Sequence, residues 1–298
     1  MSYIQIKNPS GREDIKLYYE DLGEGQPVVF IHAWPLCGSM WEYQITELVK
    51  HNIRCITYDR RGFGNSSKPL QGYDYDTLTD DLKELLDQLN LQDVILIGFS
   101  MGGGEVARYF SRYKGAKIAK AALISTVTPY LLKTDDNQDG IDESVFTEII
   151  LNLQQDRIGF LDTFGKQFFG INILSHPVST AMLDHYCTLG AFASPIATQE
   201  CVKSFAMTDF RNDLPAIHVP VLIIHGDSDK IVPLELSGER SARLIADNKY
   251  IVYNGAPHGL FYTHKQQLNQ HLLSFISGMV VEEPEEPTSV VLPSNYPI

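Results

Sequence analysis

An α/β fold, with a mostly parallel sheet covered by helices on both faces, is predicted by three features of this 298-residue chain. Apolar runs of strand length recur along it, helical periodicities fall between most of them, and a long helix-rich interval interrupts the alternation once. A parallel sheet buried on both faces reads as continuous apolar runs, and these runs are of that kind. The length is enough to bury a large core, as one α/β domain with an insertion or as two domains.

Met1 to Lys7 alternates like an edge strand. Strand candidates follow at Val28 to His32, Ile53 to Tyr58, Val94 to Phe99, Ala119 to Ser125, Val221 to His225 and Tyr250 to Tyr253. Helical patterns lie at Met40 to Lys50, Tyr75 to Leu89, Gly103 to Tyr113, Leu234 to Ala246 and Lys265 to Met279. From about Val127 to Leu214 no β-rich run occurs; the interval is helical, carries aromatic residues and is bounded by Pro129 and by Pro215 and Pro220. The predicted organisation is therefore a core of residues 1–126 and 215–279, a helical cap at 127–214, and an acidic, proline-rich extension at 280–298. Such a cap, folded over the strand ends, would wall a pocket with candidates Phe146, Phe160, Phe164, Phe168, Phe169 and Phe192. The alternative for each is that it only packs the cap on itself. In the extension, Glu282 to Pro287 has the composition of a solvated segment, and Val290 to Leu292 is apolar enough to dock on this subunit or a neighbour.

With 24 Lys+Arg against 37 Asp+Glu the formal net charge is −13, which makes phosphate polyanions poor partners and argues against nucleic acid. No stretch reaches the roughly 18 apolar residues of a membrane span, and the N-terminus has no apolar core of signal-peptide length. Cys37, Cys55, Cys187 and Cys201 form no C-x-x-C pair and read as reduced thiols. A cytoplasmic enzyme with no membrane partner is expected.

Gly98-Phe99-Ser100-Met101-Gly102 follows directly on the buried run from Val94 and leads into a helical segment, the layout of a nucleophile elbow. The turn is so tight that side chains two residues before and after the serine would collide, hence the two glycines. Gly103 and Gly104 weaken the first helical turn by propensity. Close approach of the helix to the sheet explains them. A serine that merely caps a helix is the competing reading.

A serine hydroxyl needs a base within hydrogen-bond reach and a carboxylate to orient that base. His258, in a Gly-Ala-Pro-His-Gly loop after the last predicted strand, is the best placed of nine histidines. His32 and His225 also end strands, but they read as structural histidines bonded to loop backbone. Asp229 and Asp227 compete for the carboxylate; Asp229 is favoured because it lies beyond the strand end, while Asp227 suits a loop-amide acceptor. The order Ser100, Asp229, His258 is that of an α/β-hydrolase. Two N–H donors must then face the oxyanion. Met101 supplies one at a helix start, where amides lack internal partners; the Trp34 backbone, in the loop after the third strand, supplies the other. The tryptophan side chain would then wall the acyl pocket, although packing alone also explains it.

The blocks His32 to Leu36, Trp41 to Gln44, Tyr58 to Ser66, Gly98 to Tyr109, Thr208 to Arg211, His225 to Asp229 and Ala256 to Gly259 together resemble the cofactor-free haloperoxidase and arylesterase (perhydrolase) family of α/β-hydrolases. The resemblance runs from about Ile15 to Met279. It implies a mostly parallel eight-stranded sheet with helices on both faces and a helical cap insertion, and a serine esterase that also makes peracids from a carboxylic acid and hydrogen peroxide. In that family the peracid, rather than a metal or haem, oxidises halide, so no cofactor and no metal are expected. The implied triad is Ser100, Asp229 and His258, with the Trp34 and Met101 amides as oxyanion hole. Proline after the tryptophan, as in Pro35, resembles the perhydrolase side of the family and restricts the preceding backbone.

The substrate, a small ester or lactone with hydrogen peroxide as an alternative acceptor, is expected to meet Pro35, Phe99, Phe164, Phe168, Ile231 and Val232. A homo-oligomer is compatible with the family. Ala33 stands where the family usually has glycine, and would be strained if that position needed a positive φ. Asp59 to Gly62 is expected to organise the loop beside the elbow rather than touch substrate. An aspartate-nucleophile reaction is disfavoured by Ser100. Lactamase, C–C hydrolase and acyltransferase chemistry share the triad, and a ligand-binding protein on the same fold is the alternative outside enzymes.

Overall fold

The structure, a computed structural model, describes residues 2–7 and 14–278. The extension at 280–298, with its docking segment, lies outside the described residues, as do Met1 and Met279. Eight strands form one sheet: β1 (Ser2–Ile6), β2 (Ile15–Leu22), β3 (Gln26–Ile31), β4 (Ile53–Tyr58), β5 (Val94–Phe99), β6 (Ile118–Ile124), β7 (Val221–Gly226) and β8 (Asn248–Tyr253). They lie in the order β1-β2-β4-β3-β5-β6-β7-β8. β1 and β2 are antiparallel to their neighbours, and every pairing from β4 to β8 is parallel.

Helices α1 (Glu42–Leu48), α2 (Tyr75–Gln88), α3 (Met101–Tyr113), α7 (Gly238–Leu244) and α9 (Lys265–Ser277) fall where helical periodicity places them. Between β6 and β7 come α4 (Glu143–Phe168), α5 (Thr180–Ala191) and α6 (Pro195–Met207), and the short α8 (Leu260–Thr263) follows β8. Their starts are chemically specified. The Asp74 carboxylate accepts from the Thr77 amide ahead of α2, Ser179 accepts from Met182 ahead of α5, and Ser194, followed by Pro195, accepts from Ile196 and Ala197 ahead of α6.

Strand alternation divides the core into two layers. Val94 and Leu96 of β5 face one side with Leu78, Leu82 and Leu85 of α2 and Val106 and Phe110 of α3. Ile95, Ile97 and Phe99 face the other with Ile45 and Leu48 of α1 and Leu268, Leu272 and Ile276 of α9. A fully buried strand such as β5 is thus apolar at every position. β2, absent from the apolar runs, has buried Ile15 and Leu17 only in its first half and ends exposed at Glu20, Asp21 and Leu22. Its identity comes from pairing with β1 and β4 more than from its composition.

The glycines after Ser100 have the steric reason expected of them. A Cβ on Gly103 would sit 2.2 Å from Thr126 Oγ1, and one on Gly104 would sit 2.5 Å from the Tyr75 ring and 2.6 Å from that of Phe210. α3 therefore lies against the sheet and α2 more closely than side chains permit. Gly103→Ala should lower unfolding stability by about 1–3 kcal/mol despite its better helix propensity. Urea denaturation measures this; a stability equal to or above the parent's would contradict the close-packing account.

Candidate active site

The site is assembled where the parallel strands end, each member contributed by a different strand-to-helix loop. At the end of β5, Ser100 has φ 52° and ψ −117°, a conformation costly for a residue with a Cβ. Three backbone bonds hold it: Ser100 N–H donates to Ile124 O at 2.9 Å, and its carbonyl accepts from Gly103 N at 3.0 Å and Val127 N at 3.2 Å. A Cβ on Gly98 would lie 2.5 Å from Gly102 O, and one on Gly102 would lie 2.5 Å from Ile31 O. Both flanking glycines are thus sterically required.

At the ends of β7 and β8 two loops approach so closely that a Cβ on Gly226 would lie 2.1 Å from Ala256 O. That approach brings Asp229 and His258 together. Asp229 Oδ2 lies 2.6 Å from His258 Nδ1, and His258 Nε2 lies 3.0 Å from Ser100 Oγ. An ionised carboxylate only accepts, so Nδ1 carries the ring proton and Nε2 is left to accept from the serine hydroxyl. Asp229 Oδ1 accepts the amides of Ile231 and Val232, both at 2.9 Å. Asp227, as expected, serves the loop instead, accepting from Gly255 N at 2.7 Å. Solvent barely reaches the trio, with Ser100 6% exposed.

Trp34 follows β3, the strand that pairs with β5, and Met101 follows the serine directly. Met101 is the first residue of α3, where its N–H has no intrahelical partner. The Trp34 indole N–H donates to Thr198 O at 3.0 Å, and its ring packs edge-on against Phe164 and Phe205, so the indole is committed to α6 and α4. Only its backbone N–H remains for an oxyanion. The Trp34–Pro35 peptide bond is cis, and Ala33 does not adopt a positive φ, so its methyl group introduces no backbone strain.

An aromatic wall closes over the imidazole. Phe168, at the end of α4, meets His258 edge-on at 4.8 Å between centroids, Phe99 meets it at 5.4 Å, and Gly259 N donates to Phe168 O at 2.7 Å. Beside them Pro35, Leu161, Phe164, Phe168, Tyr186 and Gly190 line an apolar cavity of about 20 Å³. Of the expected pocket residues, Pro35, Phe164 and Phe168 line this cavity and Phe99 packs on the imidazole, while Ile231 and Val232 meet the site through the amides that hold Asp229. Among the other candidate wall residues, Phe169 lines the cavity, Phe146 packs on Phe205, Phe160 stacks on Phe164, and Phe192 is exposed on the surface. Leu161, Tyr186 and Gly190 have no signature in the sequence because only the folding of α4 against α5 brings them to Pro35.

A buried polar cluster supports the loop that carries Trp34. Arg60 Nε donates to Glu105 Oε1 at 2.6 Å, the Tyr58 hydroxyl donates to Glu105 Oε2 at 2.7 Å, and Arg60 Nη2 donates to His32 O at 2.9 Å. Arg60 N–H donates to His32 Nε2 at 2.9 Å, so the His32 proton is on Nδ1, facing Ala33 O at 2.8 Å. Burial, and then the Arg60 charge, hold the His32 ring well below its usual protonation range. Arg61 is paired with Asp81 at 2.6 Å. Arg60 and Arg61 therefore organise the loop, and Glu105, which carries no motif signal, is the counter-charge that makes the arrangement tolerable.

His225 is a structural histidine bonded to loop backbone, as expected, with Nε2 2.9 Å from Val232 O. The same nitrogen also lies 3.2 Å from Asp229 Oδ2, a contact with no local mark in the sequence. Burial pushes the Asp229 carboxyl up, but the His258 charge and the hydrogen bonds from His225 and His258 outweigh it and hold it well below the ordinary 3.8.

Residues 26–265 match the α/β-hydrolase fold family. The crystal structure of a bromoperoxidase from Bacillus anthracis superposes with a TM-score of 0.88 at 46% identity, covering 93% of this chain and all of that one. A non-heme chloroperoxidase of Streptomyces lividans is 40% identical over 88% of this chain and 96% of its own length. A bifunctional esterase/perhydrolase of Acinetobacter calcoaceticus is 37% identical over 93% and 99%. The chain belongs to the α/β-hydrolase fold family and, within it, to the group that holds the non-heme haloperoxidases and their esterase relatives. Among the described residues no helix is long and apolar enough to cross a membrane.

The depressed Asp229 group has a thermodynamic consequence. A carboxylate whose folded-state pKa lies below its unfolded value of 3.8 adds stability that is fully present above that value and is lost as pH falls toward the folded-state pKa. The stability gap between the parent and Asp229→Asn should therefore be widest above about pH 5 and narrow steadily below about pH 4. Urea midpoints measured across that range check it; a gap that is constant or widens toward acid would contradict the ionised, hydrogen-bonded carboxylate.

Proposed function

We propose that this protein is a serine hydrolase of small carboxylic esters or lactones that works through an acyl-enzyme on Ser100 and passes the acyl group to water or to hydrogen peroxide. The observation that carries the reading is the unbroken line from the Asp229 carboxylate through the His258 ring to the Ser100 hydroxyl, at 2.6 and 3.0 Å. His258 Nε2 takes the serine proton as Oγ attacks the ester carbonyl. The oxyanion that forms is met by the Met101 and Trp34 amides, each worth about 2.7–4 kcal/mol in the transition state. Collapse expels the alcohol, which leaves with the proton held on His258. Water then attacks the acyl-enzyme with His258 again as base and releases the acid; when hydrogen peroxide attacks in place of water, the product is a peracid. Asp229 stays ionised throughout and stabilises the imidazolium.

α4, α5 and α6 act in this reading as a cap that walls the acyl side. The small apolar cavity beside Pro35 and Phe168 supports a preference for short acyl chains. The relatives named as chloroperoxidases and as an esterase/perhydrolase support the peroxide branch. The cysteines Cys37, Cys55, Cys187 and Cys201 are all free thiols, which suits a cytoplasmic enzyme.

Ser100→Ala should fold normally and lose activity toward an aryl acetate by at least about 10⁴-fold. Retention of activity within tenfold of the parent would remove the serine from the mechanism. Leu161→Ala should enlarge the acyl cavity and raise the ratio of hexanoate to acetate ester hydrolysis by at least about tenfold. An unchanged ratio would place the acyl group elsewhere.

A further inference from the structure

We infer that His225 is a positioning residue, a hydrogen-bond donor that fixes the Asp229 carboxylate in line with His258. Its Nε2 lies 2.9 Å from Val232 O and 3.2 Å from Asp229 Oδ2, and since both neighbours accept, Nε2 carries the proton. The opposite nitrogen faces no acceptor. Nδ1 is buried with no hydrogen-bond partner among the described residues, and it lies against the backbone of Gly238, where a Cβ would be 2.8 Å away. A proton there in place of Nε2 would be a buried donor without an acceptor.

The carboxylate is thereby held at four points. Oδ1 accepts two amides, from Ile231 and Val232, and Oδ2 accepts two imidazoles, His258 and His225. Rotation of the carboxylate would break bonds at both oxygens. The titratable groups against Asp229 are His225 from β7 and His258 from the loop after β8, and beyond His258 stands Ser100; Phe99 and Phe168 against that ring are uncharged.

This inference rests on the proposed triad, and two variants with a spectroscopic measurement test it. His225→Leu fills the space without a donor, while His225→Gln returns an N–H near the Nε2 position. For aryl acetate hydrolysis, His225→Leu should lose kcat by at least about tenfold with KM within about twofold, and the acid limb of its kcat/KM profile should be displaced from the parent's. His225→Gln should recover most of the rate and the parent profile. Equal losses in the two variants with an unmoved acid limb, or no loss in either, would overturn the assignment. Imidazole ¹⁵N NMR of the parent applies even if His225→Leu fails to fold. At neutral pH His225 should carry its proton on Nε2. A proton on Nδ1 instead would overturn it. Failure of the triad itself would appear separately, as activity surviving in Ser100→Ala.

Discussion

The backbone turn at Ser100 is the constraint on which the rest of the molecule depends. Its left-handed conformation costs on the order of 1–3 kcal/mol and survives only because its surroundings over-determine it. β5 ends there between β3 and β6, with a carbonyl of β6 accepting the serine N–H. Gly98 and Gly102 let the two arms of the turn approach, and Gly103 and Gly104 let α3 settle onto Thr126, Tyr75 and Phe210. The strain is sustained by the packing of a whole layer of the core. The hydroxyl is therefore presented at a fixed point, so the histidine and its carboxylate need only be brought to that point by two further loops.

Those loops are held by polar bonds where apolar packing cannot reach. Around the loop that follows β3, Arg60, Glu105, Tyr58 and His32 form a buried cluster in which every charge has a counter-charge and the imidazole is kept neutral. Burying such a pair is costly, and removing one partner leaves the other exposed to the full desolvation penalty, commonly about 3–5 kcal/mol. The return for that cost is directional: Arg60 holds both the ring and the carbonyl of His32, two residues ahead of Trp34. Around the acid loop the same logic recurs with Asp229, His225 and the Ile231 and Val232 amides. The helices between β6 and β7 contribute at both places, through Thr198 to the Trp34 indole and through Phe168 to the His258 loop.

What the sequence makes legible follows from where each signal resides. β5 can be read from composition because both faces are buried, so the whole run is apolar; β2 cannot, because half of it faces solvent and its pairing partners define it. Ser100 and its glycines are legible because a steric requirement falls on neighbouring positions. Asp229 could be preferred over Asp227 from its place beyond the strand end, and in the structure Asp229 bonds the His258 ring while Asp227 accepts from Gly255 N. Leu161, Tyr186 and Gly190, and the contact of His225 with Asp229, depend on how distant elements pack. Such contacts leave no periodic or local mark. Phe192 was a reasonable wall candidate by composition, but it sits just after α5 on the outward side and stays exposed.

The central claim is that Ser100 Oγ becomes covalently acylated, and rapid quench of the protein with an aryl acetate followed by peptide mass spectrometry tests it most directly. The account predicts a transient gain of one acetyl group on the peptide containing Ser100, lost more quickly when hydrogen peroxide is added. Turnover with no acetyl group on that peptide, or with the acetyl group on another residue, would contradict it.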